Sequence, residues 1–172
     1  SALEQIAAQK PLVVAMGSVA ASGGYYVSTP ARWIVAQPST LTASIGVFTL
    51  KPVLHEMLDK LQVGRESLTR GRHANIFDLE QPFDEEAERK MEESIARTYE
   101  LFVSRVAASR GLSEAEVDAI GSGRVWTGRQ ALAHGLIDEL GGLPRAIEKA
   151  RELAQLPSEA PVRSVALPKQ AL

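Results

Sequence analysis

With 172 residues, 45% of them hydrophobic, the chain carries enough apolar side chains to bury one domain-sized core. Its 19 basic and 21 acidic residues leave a net charge of −2, which removes any electrostatic case for nucleic acid as a partner. There is no cysteine for a disulfide or thiolate site, and the three histidines, His55, His73 and His134, lack ligand spacing, so neither a metal nor another cofactor is expected.

Ala2 to Gln9 reads as a helix leading into the first strand. Leu12 to Met16, behind Pro11, predicts a buried parallel strand that Gly17-Ser18 breaks. Val19 to Ser28 then predicts a helix starting just past that strand's carboxyl end, with Ser22 on its first turn. Ala20, Ala21, Gly23 and Gly24 are too small to shield the Ser22 hydroxyl. A serine placed there stands beside unpaired backbone N–H groups and the positive end of a helix dipole, where a developing oxyanion is best stabilised. The plain alternative is a small-residue helix packed on a sheet, with Ser22 as polar filler.

Arg32 to Ala36 predicts a second strand and Ser44 to Leu50 a third apolar run, while Val53 to Leu61 repeats at helical spacing. From Asp84 to Arg110, the residues Ala87, Met91, Ile95, Tyr99, Phe102 and Val106 fall three or four apart, so one stripe faces the core. Gly111 supplies the stop. Two capping boxes, Ser113 to Glu116 and Thr127 to Gln130, fix the next helix starts. Gly135 closes the second of these, and Leu143 to Leu156 reads as a last amphipathic helix. The tail alternates around Val162, Val165 and Leu167, as a short strand or a contact arm would. Strands alternating with helices indicate an α/β fold, a parallel sheet core flanked by helices, with one domain over 1–156 and a tail over 157–172. There is no internal repeat, and no apolar run approaches the length of a membrane span.

The segment Met16-Gly17-Ser18-Val19-Ala20-Ala21-Ser22-Gly23-Gly24-Tyr25-Tyr26 resembles the nucleophile segment of the signal peptide peptidase A family, serine–lysine peptidases of Clp protease/crotonase-like fold. Further matches follow in register. Ala31 to Pro38 is similar to that family's next strand, and Leu41-Thr42-Ala43-Ser44-Ile45-Gly46-Val47 to its "TGSIGV" segment. Gly123 to Ala131 and Gly135 to Gly141 resemble its "GRVWTGxQA" and "GLVDxLG" elements. These ordered motifs between Gln9 and Leu153 make the resemblance specific. It implies that Ser22 is the catalytic nucleophile, that the Gly23 N–H is an oxyanion donor, and that Ser44 orients a general-base lysine.

A serine needs a base to take its proton. His73 lies in a polar loop with no carboxylate at a recognisable position to orient it. Among the six lysines, Lys51 follows the third apolar run and is the one to check, while Lys10, Lys60, Lys90, Lys149 and Lys169 have ordinary readings. In half-length members of the family the lysine falls in a "GxHK" loop. The corresponding residues here are Gly71-Arg72-His73-Ala74, with alanine in the lysine's place. Double-length members carry the lysine in the first half and the serine in the second, so the resemblance implies a second half whose base comes from the preceding half of the same protein. A lysine-to-alanine change in a half-length enzyme is the alternative. The family's second oxyanion donor lies in an upstream "SPGG"-like stretch that these residues do not contain, so the chain alone is expected to be nearly inactive.

The resemblance further implies cleavage of remnant signal peptides and other apolar peptides, assembly as a homo-oligomer, and a membrane anchor outside this stretch, with the catalytic domain facing the periplasm or cell exterior. A noncatalytic assembly or binding module and a crotonase-like acyl-CoA enzyme are the competing readings of the same fold.

Overall fold

In the computed structural model, which describes residues 1–165, helix α1 (Ala2–Ala7) leads to β1 (Val13–Met16). After Gly17-Ser18 the chain resumes as β2 (Val19–Ala21). The helix expected over Val19 to Ser28 is therefore corrected to a strand followed by the single turn α2 (Gly23–Tyr26). The next strand behaves in the same way, with β3 (Trp33–Ala36) and β4 (Leu41–Ala43) separated by Gln37 to Thr40. Pairing explains the correction. Val19, Ala20 and Ala21 lie in parallel register with Leu41, Thr42 and Ala43, and that ladder outweighs the helix preference of two alanines.

Thr40 joins the two links. Its Oγ1 donates to the Gly17 carbonyl at 2.8 Å and accepts from the Gln37 N–H at 3.1 Å, while the Leu41 N–H donates to the Ser18 carbonyl at 2.9 Å. The apolar run from Ser44 to Leu50 forms no strand; the strand lies just before it, at Leu41–Ala43, because Ala43 and Ser44 take left-handed φ values of 62° and 51° and turn the chain out of the sheet.

Five helices follow: α3 (His55–Lys60), α4 (Glu85–Arg110), α5 (Glu114–Ile120), α6 (Gly128–Ala133) and α7 (Leu143–Leu153). Both expected capping boxes form, at Ser113 and at Thr127. Strands β5 (Val125–Thr127) and β6 (Glu139–Leu140) complete two three-stranded sheets, ordered β1-β3-β6 and β2-β4-β5. All pairs are parallel except β4 with β5.

Tyr25, Ile34, Val35, Ile45, Val106, Val117 and Leu136 are fully buried, and α4 adds Phe102, Val103 and Ala107 to the same core. Each such aliphatic or aromatic side chain contributes roughly 1.5–3 kcal/mol by leaving water. Met91 and Ile95 of the expected stripe are only half-buried, on a part of α4 that lies beyond the core cluster, and Tyr99 is half-buried against that cluster. The end of α4 is clamped. Asp138 accepts from the Ile34 N–H at 2.7 Å and from Arg110 Nη1 and Nη2 at 3.0 and 2.7 Å, and Arg110 Nε donates to the Gly135 carbonyl at 2.7 Å.

Helix α3 is shorter than the expected Val53 to Leu61, with Val53, Met57 and Leu61 exposed. Helix α7 ends before Leu156, and Pro157 to Val165 forms no strand. Leu167 lies outside the described residues. Among those described, no helix is long and apolar enough to cross a membrane.

Candidate active site

Ala21 of β2 stands opposite Ala43 of β4, so the next residues, Ser22 and Ser44, leave the sheet at one edge. The Ser22 N–H donates to the Ala43 carbonyl at 2.7 Å, and the Ser22 carbonyl accepts from the Tyr26 N–H at 2.8 Å. Between these bonds Ser22 has φ 51° and ψ −116°, a conformation costing an L-residue about 1–3 kcal/mol. Tyr25 anchors the turn from below. It is fully buried, and its hydroxyl donates to the Leu136 carbonyl at 2.7 Å. Burial pushes the phenol's pKa well above its ordinary value, so it remains a neutral donor.

A strained strand-to-helix turn is a general device for exposing a nucleophilic side chain. Ser22, Gly23 and Gly24 are all exposed, and a Cβ on Gly23 would meet no atom within 4 Å. Gly23 opens α2, so its N–H has no acceptor one turn earlier in the helix. The open space leaves room for a carbonyl oxygen to approach it.

Ser22 lies on the wall of a groove of about 330 Å³. Gly23, Tyr26, Gly46, Val47 and Phe48 line one side, and Thr98, Leu101 and Phe102 of α4 the other. Tyr26 and Phe102 meet edge to face, with ring centroids 5.1 Å apart at 81°. Arg105 lies 5.5 Å from the Tyr26 ring and pairs with Glu4, which ties α1 to α4. Such walls suit apolar side chains. In the sequence, Phe102 reads as part of a core stripe and nothing marks Thr98 or Leu101; the adjacency of Leu101 and Phe102 is the one hint that this helix has two apolar faces.

Ser44 is half-buried, with its N–H donating to the Arg124 carbonyl at 3.0 Å, and it is not among the residues lining the groove. Lys51 stands 4.5 Å from the Phe83 ring centroid and borders a separate polar cavity of about 350 Å³ with Asp78 and Glu80. His73 Nε2 lies 3.5 Å from Glu86 Oε1, so a carboxylate is near it after all, but away from the groove. Ala74 sits in a turn closed by its N–H to the Gly71 carbonyl at 3.2 Å. Lys149 stacks 4.3 Å from the Trp33 ring centroid. Among the described residues no lysine lines the Ser22 groove, and no His, Cys, Asp and Glu cluster could hold a metal. Lys169 lies outside the described residues.

Residues 4–157 match the model of peptidase family S49. The serine protease SPPA, chloroplastic, of Arabidopsis thaliana is 39% identical over 96% of this chain and 24% of its own length. Protease 4 of Salmonella typhi is 43% identical over 87% of this chain and 24% of its own length. The chain thus spans about a quarter of each of these relatives. A putative protease of a Synechocystis strain is 34% identical, with 90% of this chain and 56% of that protein covered. Among solved structures, a putative enoyl-CoA hydratase/isomerase family protein from Hyphomonas neptunium is similar at a TM-score of 0.44 and 22% identity, over 90% of this chain and 40% of that one.

Proposed function

Because the chain belongs to peptidase family S49, we propose that it is the serine-bearing part of an endopeptidase resembling signal peptide peptidase A. Ser22 Oγ attacks the scissile carbonyl carbon while its proton passes to an amine base. The C–N bond then breaks, the leaving amine takes that proton, and water hydrolyses the acyl ester on Ser22. Gly23 donates its N–H to the oxyanion, and Ser44 orients the base. That base is a lysine supplied from outside this chain, by the preceding half of the same protein, in keeping with a groove that no described lysine lines. Remnant signal peptides are the substrates, their apolar cores matched to the Tyr26, Leu101 and Phe102 walls. A membrane anchor beyond this stretch, a periplasmic or outward-facing site and a homo-oligomeric assembly belong to the same reading.

The observation that carries it is the exposed Ser22 at a strained turn on the wall of an apolar groove. In the intact protein a fluorophosphonate probe is expected to label Ser22. Ser22→Ala should abolish the label and lower turnover of an apolar peptide ester below roughly a thousandth of the parent rate. Unchanged turnover in Ser22→Ala overturns the assignment. A parent protein that neither takes the label nor cleaves peptides points instead to a noncatalytic module, which would have no need of a lysine in the groove.

A further inference from the structure

The strip from Ala43 to Gly46 holds two left-handed residues, neither of them glycine, so something outside the strip must keep it in place. The loop from Gly121 to Arg124 does so. The Ser44 N–H donates to the Arg124 carbonyl at 3.0 Å, and the Gly123 N–H donates to the Ile45 carbonyl at 2.8 Å. Gly46 packs so closely that a Cβ there would stand 2.6 Å from Gly123 Cα. The loop itself turns left-handed, with Ser122 at φ 54°, uncommon for a residue with a side chain, and Gly123 at φ 77°, and it is exposed from Ser122 onward.

One side chain of α4 reaches it. The Tyr99 hydroxyl accepts from the Ser122 N–H at 3.1 Å and donates to Asp118 Oδ1 at 2.5 Å. A Cβ on Gly121 would lie 3.0 Å from the same oxygen, so the fit is close on that side as well. We propose that Tyr99 is a positioning residue for Ser22. Its hydroxyl fixes the loop, and the loop fixes the strip. The strip provides the Ala43 carbonyl that receives the Ser22 N–H and the Gly46 that lines the groove. The inference rests on Ser22 being the nucleophile. Tyr99 is not among the residues lining the groove. Losing its hydroxyl leaves an exposed N–H that water can satisfy, so stability changes little. A nucleophile displaced by about 1 Å, by contrast, loses up to roughly a hundredfold in rate.

The test uses the intact protein, following kcat and KM for an apolar peptide ester, the rate of fluorophosphonate labelling and the thermal midpoint. Tyr99→Phe is expected to lower kcat and the labelling rate by roughly tenfold or more, with KM little changed and the midpoint down by no more than about 4 °C. Asp118→Ala, at an exposed position, should move kcat in the same direction. Asp118→Asn, which keeps an acceptor for the hydroxyl, should recover what Asp118→Ala loses. Parent-rate labelling of Tyr99→Phe, in a protein whose Ser22→Ala variant takes no label, overturns the inference and leaves the nucleophile intact. A label retained by Ser22→Ala overturns the nucleophile reading and the inference with it.

Discussion

Truncating Asp138 to alanine tests how the far wall of the groove is held, because Arg110 ends the helix that carries Thr98, Leu101 and Phe102. The change removes the acceptor for both terminal nitrogens of Arg110 and for the Ile34 N–H. The Arg110 side chain is only 9% exposed and Ile34 is fully buried, so solvent replaces little of what is lost. Breaking a buried ion pair from one side costs about 3–5 kcal/mol, and a buried unpaired N–H about 1–3 kcal/mol. Arg110 Nε keeps the Gly135 carbonyl, so the sum is an upper bound and a net loss of about 4 kcal/mol is expected. At about 2–4 °C per kcal/mol for a chain of this size, the thermal midpoint should fall by about 8–16 °C. Asp138→Asn retains an acceptor for Ile34 and should lose about half as much. Urea unfolding followed by circular dichroism, with Arg110→Leu and the double variant, closes a cycle whose coupling should reach about 2 kcal/mol. A loss below about 1 kcal/mol for Asp138→Ala, or strictly additive single changes, refutes the clamp.

Gly46→Ala drives a Cβ to 2.6 and 2.7 Å from the Gly123 backbone. It should cost about 1–3 kcal/mol and slow labelling of Ser22, and unchanged labelling would show that the strip and the turn are uncoupled. Ala74→Lys in this chain alone should produce no hydrolysis, since Ala74 is not part of the groove; robust turnover from that single change would sink the external placement of the base. The Arg145 hydrogen bond, then that of the Trp33 indole, holds the Glu139 carboxyl below its ordinary value. A depressed carboxylate stabilises the fold fully above its unfolded pKa of about 4.3 and loses that contribution as pH falls through the lower folded value. Unfolding midpoints of the parent and Glu139→Gln should therefore differ at neutrality and converge in acid, and a constant gap would contradict the assignment.

What the sequence reveals here is what local chemistry decides. Ser113 with Glu116, and Thr127 with Gln130, are separated by one helical turn, and both caps form where they are expected. Ser22 stands out because its small neighbours are adjacent in the chain. Val19 to Ala21 misleads because its partner, Leu41 to Ala43, is distant in sequence, and β5 and β6 are too short to show alternation. The left-handed turns at Ser22, Ala43 and Ser44 carry no glycine to announce them. The same is true of Arg110 and Asp138, 28 residues apart, and of Tyr99 with Asp118 and Ser122: long-range pairs leave no periodic trace.

The links between the sheets set a limit on length that residue identity alone would not suggest. Gly17-Ser18 joins β1 to β2 and Gln37 to Thr40 joins β3 to β4, with Thr40 bonded across them. Gly17, Ser18, Gln37, Pro38 and Ser39 are exposed, and exposed connections ordinarily accept insertions and deletions. These do not have that freedom. With β1 and β3 already in register, one residue added to or removed from either link slides β2 past β4 by a single step and reverses the faces of the shifted strand. Ser22 would then lose the Ala43 carbonyl as its partner. At their exposed positions both links should accept changes of side chain, Thr40 with its bridging hydroxyl excepted, while rejecting single-residue indels, the reverse of what that exposure suggests.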